Sequence, residues 1–554
     1  MPKPSAKREQ LLGRIGLGIC IMATLLAVWA HVVTLTHAGA LWRDEVGGVQ
    51  FATLLPLGEM CRKLAYDSFP LFFPALVRVW STLGLGGSDL GLRILGFLIG
   101  LGLLGGIWLN ARLMRFGLPF ISLGLLATNV TLVFWGDSLR AYGCGCTFIL
   151  LTLGLLWRLA QAPGRTSFLL AALAATLSVQ TLYQNAFLVL AACGAGGVVC
   201  ARRRQWRTAA LVLGVGLVAA ISLVPYVPLI IEAQAWYKLA KIGFDAERVW
   251  SNLLLALGAP LHWLVWVWGG LLPLVFAVGW ASLQERARPA RVGSEDLPLF
   301  AVSALVAGTA LFFVFLRASE LVTAPWYFLP LMVFAAATMD AALADWCRQF
   351  RPWVLAFVAV MVCLPFPATL KLAKYRQTNI DLIADELQRE AKPGDLILVS
   401  PFFLGITFDR YFKGPVAWTT LPPIDDHRFY RMDQVRNGLC SKPLLRSVLA
   451  RMAHALASGH TLWMVGNWPP PQPGETVPPD LPDPPQPGQP FGFAESSQCT
   501  YAWERQAVHL IATRAAHAGV IPVQPATPVS EAEKVRLIRA SGWRGEPEAT
   551  PAPP

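Results

Sequence analysis

Runs of about 17–25 apolar residues, separated by short polar loops, recur along this chain from residue 11 to residue 372. In helical form each run matches the roughly 30 Å hydrocarbon core of a bilayer. A backbone in lipid must satisfy its own polar groups, so these runs restrict the fold to a bundle of helices. Composition agrees: of 554 residues, 55% are hydrophobic and 14% charged, against roughly 25% charged in a soluble domain. The 21 Trp and 29 Phe suit spans with interfacial aromatic belts. A formal charge of +12 raises the question of nucleic acid. The basic residues lie in short clusters between apolar runs, however, and form no stripe interleaved with aromatics, which excludes that class.

About eleven spans follow, near 11–36, 90–113, 118–135, 141–160, 166–183, 185–200, 207–231, 252–280, 297–316, 325–345 and 352–372. The stretch 69–84 is short and interrupted by Pro70 and Pro74, so it reads as a re-entrant or interfacial helix. Lys3, Lys7, Arg8 and Arg14 hold the N-terminus in the cytoplasm under the positive-inside rule. Every second loop then carries a basic cluster: Arg112 and Arg115; Arg158 and Arg165; Arg202 to Arg204 with Arg207; Arg286, Arg288 and Arg291; Arg348 and Arg351. The first run lacks a convincing cleavage site and reads as an uncleaved span. An odd number of spans sends the tail to the far side, the periplasm in a Gram-negative bacterium.

That tail changes character. Residues 381–391 read as a helix, 396–400 and 461–465 as strands, and 501–517 as a further strand-and-helix pair. The expected fold class is therefore mainly α: a polytopic transmembrane bundle, residues 1–372, with a small C-terminal periplasmic α/β domain, residues 373–542. A proline-rich loop covers 468–490, and 543–554 reads as a disordered tail. Most of the ten cysteines lie in spans and act as small hydrophobes. Cys440 and Cys499 share the tail domain, in a compartment that permits disulfides, and are expected either to bridge or to stay as two free thiols.

Acids are rare in the apolar part, so their positions carry information. Asp44 and Glu45 follow Trp42-Arg43 just past the first span; Asp67 precedes Ser68-Phe69-Pro70; Asp137 lies beside Arg140 and Tyr142; Glu232 and Glu320 close later spans. All six fall on one side of the predicted membrane. Asp340 and Asp345 read as ordinary cytoplasmic loop charges, and His31 as structural. Carboxylates and cations on one face suit a definite chemistry. A carboxylate takes the proton of an attacking hydroxyl, and Arg140, Lys238, Lys241 or Arg317 holds a departing phosphate. No Walker loop, dinucleotide fingerprint or His-Glu-x-x-His motif competes.

The order of these motifs resembles the polytopic GT-C glycosyltransferases, nearest the bacterial protein-mannosyltransferase and lipopolysaccharide-core group. It runs Trp42-Arg43-Asp44-Glu45, Asp67-Ser68-Phe69-Pro70, Leu139-Arg140-Ala141-Tyr142, Leu223-Val224-Pro225-Tyr226-Val227-Pro228 and Pro325-Trp326-Tyr327-Phe328-Leu329-Pro330. The resemblance covers about residues 10–400. It implies a polyprenyl-phosphate sugar donor, far-side transfer to a glycan, lipid or protein acceptor, and an inner-membrane enzyme. Asp44 maps onto the catalytic acid, Glu45 onto its neighbour, Asp67 onto the second acid, and Arg140 and Tyr142 onto the later loop. Three positions depart from the pattern: Phe69 stands where many relatives have His, Asp137 is three residues before Arg140 instead of two, and Trp326 replaces an Arg.

The leading expectation is thus an inverting glycosyltransferase with Asp44 as general base. Asp67 would orient the acceptor or bind a divalent metal ion, and the residues leave that choice open. The rival expectation is a lipid-linked saccharide flippase or polymer ligase. It is disfavoured because no two halves resemble each other and few charges lie inside spans.

Overall fold

The computed structural model describes residues 6–67, 69–237, 243–284, 296–470, 477–484 and 492–545. The chain divides into two compact units. One comprises Met1–His37, Ser68–Leu229 and Gly243–Lys374; the other comprises Ala38–Asp67, Ile230–Ile242 and Tyr375–Pro554. The sequence places a single boundary at 372/373. The contacts instead group the segment after the first span, Asp44 and Asp67 included, with the C-terminal chain.

The first unit is helical. Among the described residues, eight helices are long and apolar enough to cross a bilayer, beginning with Lys7–His37 and ending with Arg351–Ala373. The chain is a polytopic membrane protein. Several of the expected spans have a different internal structure. The run 118–135 is two short helices, Phe120–Leu126 and Val130–Gly136, because Asn129 caps the second by accepting the Leu132 N–H at 3.0 Å. The run 252–280 is likewise split, into Ala246–Gly258 and Leu264–Gln284. Residues Phe72–Thr82 form a helix of 11 residues, about 16 Å long and too short to span.

Asp340 is not the loop charge expected of it. It is 2% exposed at the end of helix Leu329–Ala342, and its two carboxylate oxygens accept the backbone N–H groups of Ile121 and Ser122 at 2.7 and 2.8 Å. These belong to the otherwise unpartnered first turn of Phe120–Leu126, whose dipole favours an anion there.

The second unit is built on a five-stranded sheet. Its strands are β1 (Leu396–Ser400), β2 (Ala417–Thr420), β3 (Leu462–Gly466), β4 (Ala515–Ile521) and β5 (Arg536–Trp543), in the order β2-β1-β3-β5-β4. The first three are parallel, and β5 and β4 join antiparallel. Both central parallel strands are buried throughout, as a sheet covered on both faces requires. On one face Leu396, Leu398, Leu462 and Met464 pack under helices Lys442–Ala457 and Phe493–Arg514. On the other, Ile397, Val399, Trp463 and Val465 meet Ile380–Glu390 and Leu404–Tyr411. Cys440 and Cys499 are bridged, closing a separation of 59 residues; in the chain-entropy picture such a loop contributes about 4 kcal/mol. Strand β5 runs to Trp543, at the edge of the tail expected to be disordered; residues 546–554, and 471–476 and 485–491 of the proline-rich loop, lie outside the described residues.

Candidate active site

In the second unit the segment leaving the first span is stitched to the C-terminal chain by its backbone. Gln377 N–H donates to the Ala38 carbonyl at 2.9 Å, Leu41 N–H to the Tyr411 hydroxyl at 2.7 Å, and Arg43 N–H to Glu533 Oε2 at 2.8 Å. Gly39 adopts φ +67°, where a Cβ would come within 2.8 Å of the Arg376 guanidinium, so only glycine fits this turn. The chain then enters helix Arg43–Leu54, whose N-cap, Trp42, supplies no side-chain acceptor. Glu533 takes over that role. Its other oxygen accepts from Thr378 Oγ1 at 3.0 Å, and burial pushes its carboxyl up to about 7.

Asp44 sits in the first turn of this helix, its side chain 22% exposed. The Tyr430 hydroxyl donates to Asp44 Oδ1 at 2.5 Å, and Arg43 Nε stands 3.4 Å from the same oxygen. The Arg43 guanidinium is itself held 4.4 Å from the Phe403 ring centre. One hydroxyl donor and one cation thus fix a carboxylate that keeps a solvent-facing side. Glu45, one position on, points inward and is fully buried.

Asp67 ends the short turn Leu64–Tyr66 and is partly exposed. The segment that supplies Tyr430 also reaches this turn. Phe429 contacts both Phe51 of the Asp44 helix and Tyr66, at ring separations of 5.9 and 5.4 Å, and the Arg431 guanidinium lies 6.0 Å from the Tyr66 ring. Arg428 and Arg431 are pinned within the segment by Asp426 and Asp433, at 2.9 and 2.7 Å. Residues 426–433 therefore form a strap over the elements carrying Asp44 and Asp67. Tyr430 and Glu533 were not legible as site residues. The strap does carry a signal, a dense run of charge and aromatics from Asp425 to Asp433 with no helical or strand period; Glu533 carries none.

In the helical unit Arg140 and Tyr142 come together on Phe69. The Arg140 guanidinium lies 4.3 Å over the Phe69 ring, and Tyr142 meets that ring edge-on at 5.5 Å. The residue that departs from the histidine pattern is thus an aromatic seat for the arginine. Tyr142 also approaches Tyr327 at 6.1 Å, and Trp326, at the position where the resembled family commonly has Arg, lies tilted against Trp135 at 4.1 Å.

Arg317 is 65% exposed, paired with Glu320 at 3.6 Å and lying 5.6 Å from the Phe244 ring. Lys238 and Lys241 lie outside the described residues. Asp137 is buried against His31, with Asp137 Oδ2 hydrogen-bonded to His31 Nδ1 at 3.1 Å. The turn holding it nests between helices because Gly96 and Gly143 have no side chain; a Cβ there would come within 2.0 Å of the Asp137 carbonyl oxygen and 1.9 Å of the Gly136 carbonyl oxygen. Among the described residues no three His, Cys, Asp or Glu side chains are grouped as a protein-built metal site needs.

No family model and no curated protein matches the sequence. Solved structures do. ArnT from Cupriavidus metallidurans bound to undecaprenyl phosphate superposes with a TM-score of 0.50 at 14% identity, covering 81% of this chain and 93% of that one. The apo state of the same protein gives 0.50 at 16%, with the same coverage. The chain has the GT-C fold. Within the GT-C fold found here, the acid after the first span lies on a helix whose N-terminus is capped from the far end of the sequence.

Proposed function

We propose that the chain is a membrane glycosyltransferase that moves a sugar from a polyprenyl-phosphate donor to an acceptor hydroxyl. The observation that carries this reading is Asp44: a carboxylate in the first turn of its helix, partly open to solvent and oriented by Tyr430 and Arg43. The shared fold with a protein solved with undecaprenyl phosphate supports the donor class.

In the proposed reaction the acceptor oxygen attacks the anomeric carbon as Asp44 takes its proton. The bond from that carbon to the phosphate oxygen breaks, and the polyprenyl phosphate leaves with the bonding pair. One displacement inverts the anomeric centre. Arg43 sets a positive charge beside Asp44, and the Tyr430 hydroxyl fixes one carboxylate oxygen so that the other is presented in one direction. Asp67, below the strap, is assigned to orienting the acceptor. In the helical unit Arg140, over the Phe69 ring that Tyr142 also contacts, is assigned to the departing phosphate, for which a planar guanidinium offers paired donors. The sugar-transfer side is assigned to the periplasm of the inner membrane, on the loop charges.

The test is transfer of radiolabelled sugar from a panel of polyprenyl-phosphate sugars by the full chain in lipid, beside Asp44→Asn. A positioned general base contributes about 10²–10⁴-fold, so transfer should fall by that factor. Wild-type rates in the variant would remove Asp44 as base. Lipid binding without transfer from any donor would favour the flippase or ligase reading.

A further inference from the structure

The basic loops of the helical unit are not equivalent. Arg203 is satisfied by Asp296 at 2.6 Å and Arg348 by Asp345. Arg115 and Arg351 form no ion pair among the described residues, and Arg351 Nε is buried without a hydrogen-bond partner. Both line one cavity of about 120 Å³, together with Phe116, Phe120, Arg348 and Asp340. Arg115 is exposed and Arg351 half-buried with its Nε unpartnered, so this partly enclosed space gathers positive charge that an anion entering it would meet.

The local fold directs these groups to that space. Arg115 ends helix Asp89–Met114 in the left-handed conformation, φ 60°, at a position ordinarily filled by glycine. Arg351 begins helix Arg351–Cys363, a short loop beyond Arg348. Asp340 lines the same cavity with its two oxygens held by the Ile121 and Ser122 amides, one carboxylate against two arginines that have no ion pair among the described residues. Two candidate spans, Asp89–Met114 and Arg351–Ala373, terminate at this cavity, and Trp353, 75% exposed, marks the same level as an interfacial aromatic. A volume of 120 Å³, against the roughly 30 Å³ of a liquid water, holds a tetrahedral oxyanion.

We propose that Arg115 and Arg351, with the Asp345-paired Arg348 beside them, form a binding site for a phosphate group, supplied at the membrane surface by the headgroup of an anionic phospholipid. Basic pockets between spans take such headgroups, with about 1 kcal/mol per arginine or about fivefold in affinity. The site is separate from the residues assigned to sugar transfer and stands or falls without them.

The experiment uses the full chain in nanodiscs of phosphatidylcholine, with and without phosphatidylglycerol, and in detergent with inorganic phosphate against chloride at equal ionic strength. Bound lipid is read by native mass spectrometry and stability by thermal melting. Wild type should retain phosphatidylglycerol and melt higher with it, and Arg115→Gln with Arg351→Gln should weaken retention by about 30-fold. Arg112→Gln, an exposed neighbour outside the cavity, should leave it unchanged. Stabilisation of wild type by inorganic phosphate, removed by the double variant, with no added effect of the lipid would keep the phosphate site and make free phosphate its ligand. An equal loss in Arg112→Gln would reduce the effect to diffuse surface charge and overturn the proposal. So would a wild type indifferent to both phosphatidylglycerol and phosphate, which settles the matter even if the double variant does not fold.

Discussion

Asp44 and Asp137 look alike in the sequence: each is an acid just past an apolar run, beside an arginine and an aromatic. The fold separates them. Asp44 lies on a helix N-terminus, partly exposed, with a tyrosine hydroxyl and a guanidinium at one oxygen and its backbone tied to the C-terminal chain. Asp137 is sealed among helices, its carboxylate on an equally buried His31. The same residue type is assigned to chemistry in one place and to packing in the other, and the burial of Asp137 on a buried partner is what distinguishes them.

The sharpest way to break this contrast is to remove each carboxylate in turn. Asp44→Asn should lower transfer by about 10²–10⁴-fold while the melting temperature hardly moves. Asp137→Ala should do the reverse. It leaves His31 without its buried acceptor and should cost about 2 kcal/mol of stability, with the rate per folded molecule intact. Thermal melting alongside transfer assays normalised to folded protein reads both; matching profiles for the two variants would collapse the distinction.

Tyr430→Phe sharpens it further. Losing a hydrogen bond to a charged group costs about 1.5 kcal/mol, so kcat should drop about tenfold with KM little changed, because the hydroxyl orients the base and is not assigned to substrate. A change confined to KM would place Tyr430 at the acceptor instead. The smallest expected effect belongs to Glu533. Burial raises its carboxyl from 4.5 to about 7, so the folded chain holds this proton more tightly than the unfolded chain does. Its contribution to stability is therefore complete below about pH 4.5 and is lost as the pH climbs through about 7. Melting temperature against pH should fall over that window in wild type and flatten in Glu533→Gln.

Much of the architecture was legible because its causes are local. Apolar run length announces a span, and the short unbroken apolar runs of β1 and β3, the first after a turn at Lys392-Pro393-Gly394-Asp395, announce the central strands. What escaped depends on single residues or distant partners. Hydropathy averaged over 118–135 hides the cap at Asn129 that breaks the helix. Strand β2 has four residues at a sheet edge, too few for a period to emerge. Asp340 reads as a surface acid until the amides it caps, more than 200 residues earlier, are brought to it. Asp44 was visible by its place after the first span; Tyr430, 386 residues away, was not, because no local pattern encodes such a contact.

The backbone bond from Arg43 to Glu533 has a consequence for the timing of synthesis. Its two ends are 490 residues apart, and a ribosome adding about 5–20 residues per second takes roughly half a minute to a minute and a half to make the second after the first. Throughout that interval the Asp44 helix lacks its cap, and for most of it Tyr430 has not been made either. A nascent chain, or one cut short before residue 430, therefore carries Asp44 without Tyr430 and without the Glu533 cap, and the candidate site is assembled only after both have been made.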